Sequence, residues 1–92
     1  MNIGKATVAL CKAKGITRKE LAERMGISQN AMCDLVKGRS WPSALTMYKL
    51  TQALDVPQSY ILFFSIEDID IPQEKRELFH LLANPLKEYL MK

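Results

Sequence analysis

Hydrophobic positions along the first fourteen residues fall at helical spacings. Ile3, Ala6, Thr7, Leu10 and Cys11 are separated by three, four, seven and eight positions, which is one face of a helix, and Gly15 is placed to end it. A second, short segment follows. Thr17 can cap it, Glu20 stands three residues later as the partner of a capping box, and Leu21, Ala22 and Met25 form its apolar stripe before Gly26. Ser28 is a suitable cap for a third helix with Met32, Leu35 and Val36 inward and Gly38 at its end. Pro42 forces an extended approach, Ser43 can cap, and Met47, Leu50, Thr51 and Leu54 make the stripe of a fourth. Pro57 stands near the start of a fifth segment containing Tyr60, Ile61, Phe63 and Phe64.

Beyond residue 65 the pattern changes. "SIEDIDI" comes close to strand-like alternation and reads as a linker, with a short edge strand as the alternative. The chain restarts at Pro72 with Leu78, Phe79, Leu81, Leu82 and Ala83, too apolar for a helix free in water. Asn84-Pro85 then looks like a cap followed by proline at a first helical position, so this helix either kinks or ends there. The class is all-α. No internal repeat or low-complexity tract is present.

Composition narrows the function classes. Ninety-two residues, 48% apolar and 25% charged, suit one small soluble core. No run is long enough to span a bilayer, and the start lacks the features of a secretory signal, so a cytoplasmic protein without membrane association is expected. Cys11 and Cys33 form no CxxC pair and His80 is the lone histidine; this predicts no zinc site, no disulfide framework and no cofactor, with both cysteines as small buried residues. An enzyme is not expected, because no phosphate-cradling glycine loop and no paired nucleophile and base are available.

Charge is unevenly spread. Residues 1–65 carry nine Lys/Arg against four acids, net +5, whereas residues 66–92 carry four bases and six acids, net −2. A basic body suits a polyanion, and the acidic tail suits something else.

The stretch "GISQNAMCDLVKG" gives that polyanion a reader. Two short helices joined by a glycine-containing turn present the amino end of the second outward. Here that end carries Gln29 and Asn30, whose amides can make paired hydrogen bonds to the N6 and N7 edge of adenine in the major groove. One turn later Asp34 can accept from the cytosine N4 amino group, and the Ala31 methyl can meet a thymine methyl.

At this point the chain resembles the Cro/repressor-type (Xre-like) helix-turn-helix proteins of phages and bacteria. The resemblance runs from about Lys5 to Leu62 through "GITRKELAERMGIS", "QNAMCDLVKGRSWPS" and "YKLTQALDVPQSYIL". It implies five short helices around one core and dimeric binding of operator DNA. It also implies base reading by Gln29, Asn30 and Asp34. Arg18 stands where the family commonly has a phosphate-binding Gln, and Thr17, Lys37, Arg39, Ser40 and Ser43 are likewise expected to contact backbone phosphates. Trp41 either packs beside the sugar-phosphate backbone or covers the core.

Three departures accompany the resemblance. A basic residue and a Glu that often pair between the first and third helices are Cys11 and Val36 here, a coherent joint loss of a buried ion pair that predicts contact between the two. Asp55 stands at a helix end where Gly is usual, and Asp tolerates the left-handed conformation. Residues 66–92 have no clear counterpart.

The expected organisation is therefore a helix-turn-helix DNA-binding domain over 1–65 and a linker with a C-terminal helical extension over 66–92. Leu78, Leu81, Leu82, Pro85 and Tyr89 share one face of that extension, with Phe79, Ala83, Leu86 and Leu90 beside it. Either it folds back over the fifth helix or it forms a homodimer, helped by Tyr60, Phe63 and Phe64; the dimer is favoured. The leading expectation is a transcriptional regulator, a repressor that inserts helix 28–37 into the major groove of a pseudo-palindromic double-stranded operator. The alternatives are an antitoxin whose tail holds a toxin, and a helical adaptor for protein contacts. RNA polymerase is a further possible partner, through Glu20 and Glu23.

Overall fold

The computed structural model describes residues 1–91. Six α-helices follow one another: α1 (Ile3–Lys14), α2 (Arg18–Met25), α3 (Gln29–Lys37), α4 (Ala44–Leu54), α5 (Gln58–Ser65) and α6 (Arg76–Met91). Single 3-10 turns occupy Asp68–Asp70 and Gln73–Lys75. "SIEDIDI" is thus a linker with a 3-10 turn, and the edge-strand alternative does not form.

Each boundary in the body has a chemical cause. The side-chain oxygens of Asn2, Thr17, Ser28 and Ser43 accept from backbone N–H groups in the first turns of α1 to α4, and Thr17 and Glu20 form the reciprocal box. Each such cap satisfies a donor that the helix cannot satisfy itself, worth about 1 kcal/mol. The carboxyl ends of α1, α2 and α3 turn at Gly15, Gly26 and Gly38 in the left-handed region. α4 does so at Asp55, with φ 53°. Asp is one of few residues with a side chain that tolerate this conformation.

The core takes one or more fully buried side chains from every helix of the body. Leu10, Leu21, Met32, Leu50, Leu54 and Ile61 are all sealed from solvent. The stripe predicted for α1 is buried in full, and so are the three predicted for α2. The only buried polar side chains among the described residues, Thr7 and Ser65, donate their hydroxyls to the carbonyls of Ile3 and Leu62. Between α2 and the end of α4, the Arg24 guanidinium donates to the Ala53 carbonyl at 3.4 Å.

α1 and α3 approach so closely at one point that only glycine fits. A Cβ on Gly4 would collide with the Val36 carbonyl. The carboxyl end of α3 is held there as well, since Gly38 lies against the Asn2 side chain and the Asn2 N–H donates to the Ser65 carbonyl at 2.8 Å. The Val36 carbonyl thus meets the amino end of α1 at Gly4, seven residues before Cys11; Cys11 belongs to the core cluster and Val36 packs against it. Burial pushes the Cys11 thiol pKa up, so it stays a neutral, small core group.

The linker is tied at both ends. Lys5 Nζ reaches Glu67 at 2.9 Å, the Met1 α-amine reaches Asp70 at 2.6 Å, and Arg76 Nε donates to the carbonyls of Asp68 and Ile71. On α6, His80 lies 2.7 Å from Asp68. α6 runs unbroken through Pro85. Of the two alternatives at Pro85, the helix does not end there but continues through it; Pro85 is exposed, so water can serve the carbonyl that the ring deprives of a donor. Ala83, Leu90 and Met91 turn toward the body, while Lys87 stands over the rings of Phe63 and Phe79. No helix among the described residues is long and apolar enough to cross a membrane.

Candidate nucleic-acid interface

The recognition segment is split cleanly between two surfaces. On α3 only Met32 is buried, with Leu35 and Val36 half-buried beside it. Gln29, Asn30, Ala31, Cys33, Asp34 and Lys37 are all exposed. Among the described residues nothing covers the two amides proposed to read bases. Cys33, expected as a buried residue, is instead free and exposed. It lies four residues after Gln29 and four before Lys37, so the three share one outward stripe; the helical register carried that information, and the general preference of cysteine for interiors misled.

The turn that orients α3 is short. Gly26, Ile27 and Ser28 link the two helices, with Gly26 at φ 69° and Ser28 accepting from the Ala31 N–H at 3.1 Å. Because the cap fixes the first turn, Gln29 and Asn30 leave the backbone from a defined position.

Around α3 stand cations without internal partners. Arg18 begins α2, Lys37 ends α3, and Arg39 follows in the loop, all exposed. Among the described residues, every ion pair uses an acid of the linker, Glu67, Asp68 or Asp70, and none uses Arg18, Lys37 or Arg39. Such charges are available to phosphates. The hydroxyls are less free. Thr17 donates to the Glu20 carboxylate at 3.2 Å, and Ser43 is engaged with Thr46 at 3.0 Å, so both serve first as caps. Ser40 is exposed.

Trp41 is 57% exposed, so it does not cover the core. It shares a cleft with Ala31 and Asp34 of α3 and with Ser40 and Ser43 of the loop, which brings five of the predicted residues to one surface.

The sequence of this region matches a known pattern. A helix-turn-helix family model matches residues 9–61, more than half of the chain and all of α2, α3 and α4. The chain belongs to the helix-turn-helix family of Cro/repressor type. It is 39% identical over 54 residues to an HTH-type transcriptional regulator, y4dJ, of Sinorhizobium fredii, covering 59% of this chain and 70% of that protein. It is 35% identical over 57 residues to an HTH-type transcriptional regulator of Methanothermobacter thermautotrophicus, covering 62% and 83%. No solved structure matches it significantly. The linker after Ser65 and α6 lie beyond the matched segment.

The proposed dimer residues do not form one set. Leu78, Leu81, Leu82 and Tyr89 are exposed along α6, as is Leu86. Phe64 is buried in the core of its own chain, packed edge-on against Phe63, and so is corrected from an interface residue to a core residue. An aromatic run such as Tyr60 to Phe64 contains both faces of a helix, and composition alone does not say which ring turns inward. Phe63 is half-buried beneath Lys87, and Tyr60 lines a cavity with Leu90 and Met91.

Proposed function

We propose that this helix-turn-helix protein is a sequence-specific transcriptional regulator of double-stranded DNA, acting as a repressor in the cytoplasm. α3 enters the major groove, Gln29 and Asn30 read adenine edges, and Asp34 accepts from cytosine. Arg18, Lys37 and Arg39 take phosphates on either side, fixing register and adding salt-dependent affinity. The observation that carries this reading is the exposed polar face of α3 flanked by cations that no acid among the described residues neutralises.

Two copies are needed for a pseudo-palindromic operator, with recognition helices about 34 Å apart. The exposed stripe Leu78, Leu81, Leu82, Leu86 and Tyr89 supports a homodimer through α6. The same stripe supports the antitoxin reading, in which a toxin covers it.

Selection of random duplex DNA on the purified protein tests the reading, followed by anisotropy titrations of the winner and a scrambled duplex at several salt concentrations. A pseudo-palindromic winner bound far more tightly than the control by a dimer is the expected result. Equal, salt-sensitive binding to both sinks sequence reading, and a protein that stays monomeric on the winner removes the dimer.

A further inference from the structure

Between α3 and the loop that follows it lies a cleft of about 260 Å³. Ala31, Asp34 and Leu35 form one side, and Trp41, Ser43 and Thr46 line the other. Asp34 is the one charged side chain among its lining residues. No Lys, Arg or His among the described residues pairs with it. An acidic group on a face otherwise surrounded by free cations is a poor neighbour for phosphate. It is a good anchor for a positive charge.

Trp41 supplies the second half of such a site. Its exposed indole offers a negative ring face, to which ammonium groups are attracted, and an apolar surface for the body of a ligand. The Ser43 hydroxyl donates to the Thr46 hydroxyl and accepts from the Thr46 N–H, so each oxygen keeps one lone pair that can accept an N–H donor. An anion finds no basic group in the lining, and a neutral apolar molecule leaves the carboxylate unused. At this volume the cleft is at or below the small end of ligand pockets, which suits about ten non-hydrogen atoms.

We infer that this cleft binds a small organic ammonium ion with an aromatic or alkyl body, its charged head on Asp34 and its body against Trp41 and Leu35, and that occupancy excludes DNA. The exclusion rests on the DNA-binding reading above. In that reading Asp34 faces a base, and the loop beside it follows the phosphates, so ligand and duplex claim the same space.

Trp41 is the only tryptophan of the chain, so its emission reports on the cleft directly. The full-length protein is titrated with phenethylammonium, with 2-phenylethanol as the neutral analogue and with 3-phenylpropionate as the anionic one. Saturable change is expected with the cation, with half-saturation on the order of 1 mM for a ligand of this size. About tenfold weaker binding is expected for the alcohol, and none for the acid. Asp34→Asn, at an exposed position and verified as folded by circular dichroism, should bring the cation to the level of the alcohol.

Equal responses to the three probes, or an unchanged Asp34→Asn titration, overturn the site. In a second measurement, the cation should weaken binding of the selected duplex to the wild-type protein over the concentrations at which it saturates Trp41, whereas 3-phenylpropionate should not. A cation that saturates Trp41 and leaves DNA affinity unchanged overturns the exclusion. The fluorescence titration contains no DNA, so failure of the cleft and failure of the DNA-binding reading are seen separately.

Discussion

At Gly4 the local and the tertiary preferences of one residue oppose each other. In an exposed helix interior, replacing glycine by alanine stabilises by about 1 kcal/mol. Here the added methyl would meet the Val36 carbonyl, a backbone group that cannot swing aside. Gly4→Ala should therefore lower stability, by about 1–3 kcal/mol as for other overpacked sites, measured by urea denaturation. A gain would mean that α1 and α3 separate without cost. The proposed base readers call for the opposite kind of substitution, one that leaves folding alone. Gln29→Ala should cost about 1–3 kcal/mol on the selected operator and little on random DNA. Equal losses on the two duplexes in parallel anisotropy titrations would remove Gln29 from base reading.

Among the elements, α3 depends most visibly on its cap. Ser28 is exposed and its oxygen accepts from the Ala31 N–H, so Ser28→Ala deletes one hydrogen bond and no packing. A loss of about 1 kcal/mol in thermal or chemical denaturation is expected, with α3 fraying first in hydrogen exchange. A variant as stable as the wild type would show that water serves that N–H equally well.

The same capping chemistry explains why the body was largely legible in the sequence. Each of the first four helices begins on Asn, Thr or Ser and ends on Gly or Asp, local signals that do not depend on what packs where. Rotation about a helix axis is less local. Phe64 and Cys33 were assigned to the wrong side because residue type was weighed above register. At Pro85 the sequence leaves open whether the helix kinks or ends, because it does not say that this side faces water. Gly4 passed as an ordinary helical residue, although a glycine inside an apolar pattern is itself a signal of close approach.

For the whole molecule, the question is how the extension is held to the body. The Lys5 ammonium holds the Glu67 carboxyl below its ordinary pKa, and the Met1 α-amine does the same for Asp70. The amine in turn is raised above its ordinary 8.0 by its hydrogen bond with Asp70. Carboxylates depressed in this way favour docking above their unfolded values and lose that contribution as pH falls through the folded ones. The raised amine contributes below its unfolded value and loses its share as pH rises through the folded one. Docking of the 67–71 linker should be firmest between about pH 5 and pH 8. Amide NMR signals of residues 67–71 should shift outside this window while those of Leu21 and Leu50 do not; linker signals independent of pH would deny the clamp.

The outward stripe of α6 belongs to the same scale. Leu82→Glu should leave the monomer folded and shift sedimentation equilibrium toward it, with at least tenfold weaker operator binding, since one charge is brought into an apolar contact. Unchanged association would place the dimer contact elsewhere.

Met32 is the one fully buried residue of α3, and Gln29, Asn30, Cys33 and Asp34 hold up nothing beneath them. In the proposed reading, folding and recognition are thus written on separate letters of a nine-residue word. Such a helix can drift to new operators without crossing an unstable intermediate. A library randomised at these four positions should consist mostly of folded proteins that differ in the DNA they choose.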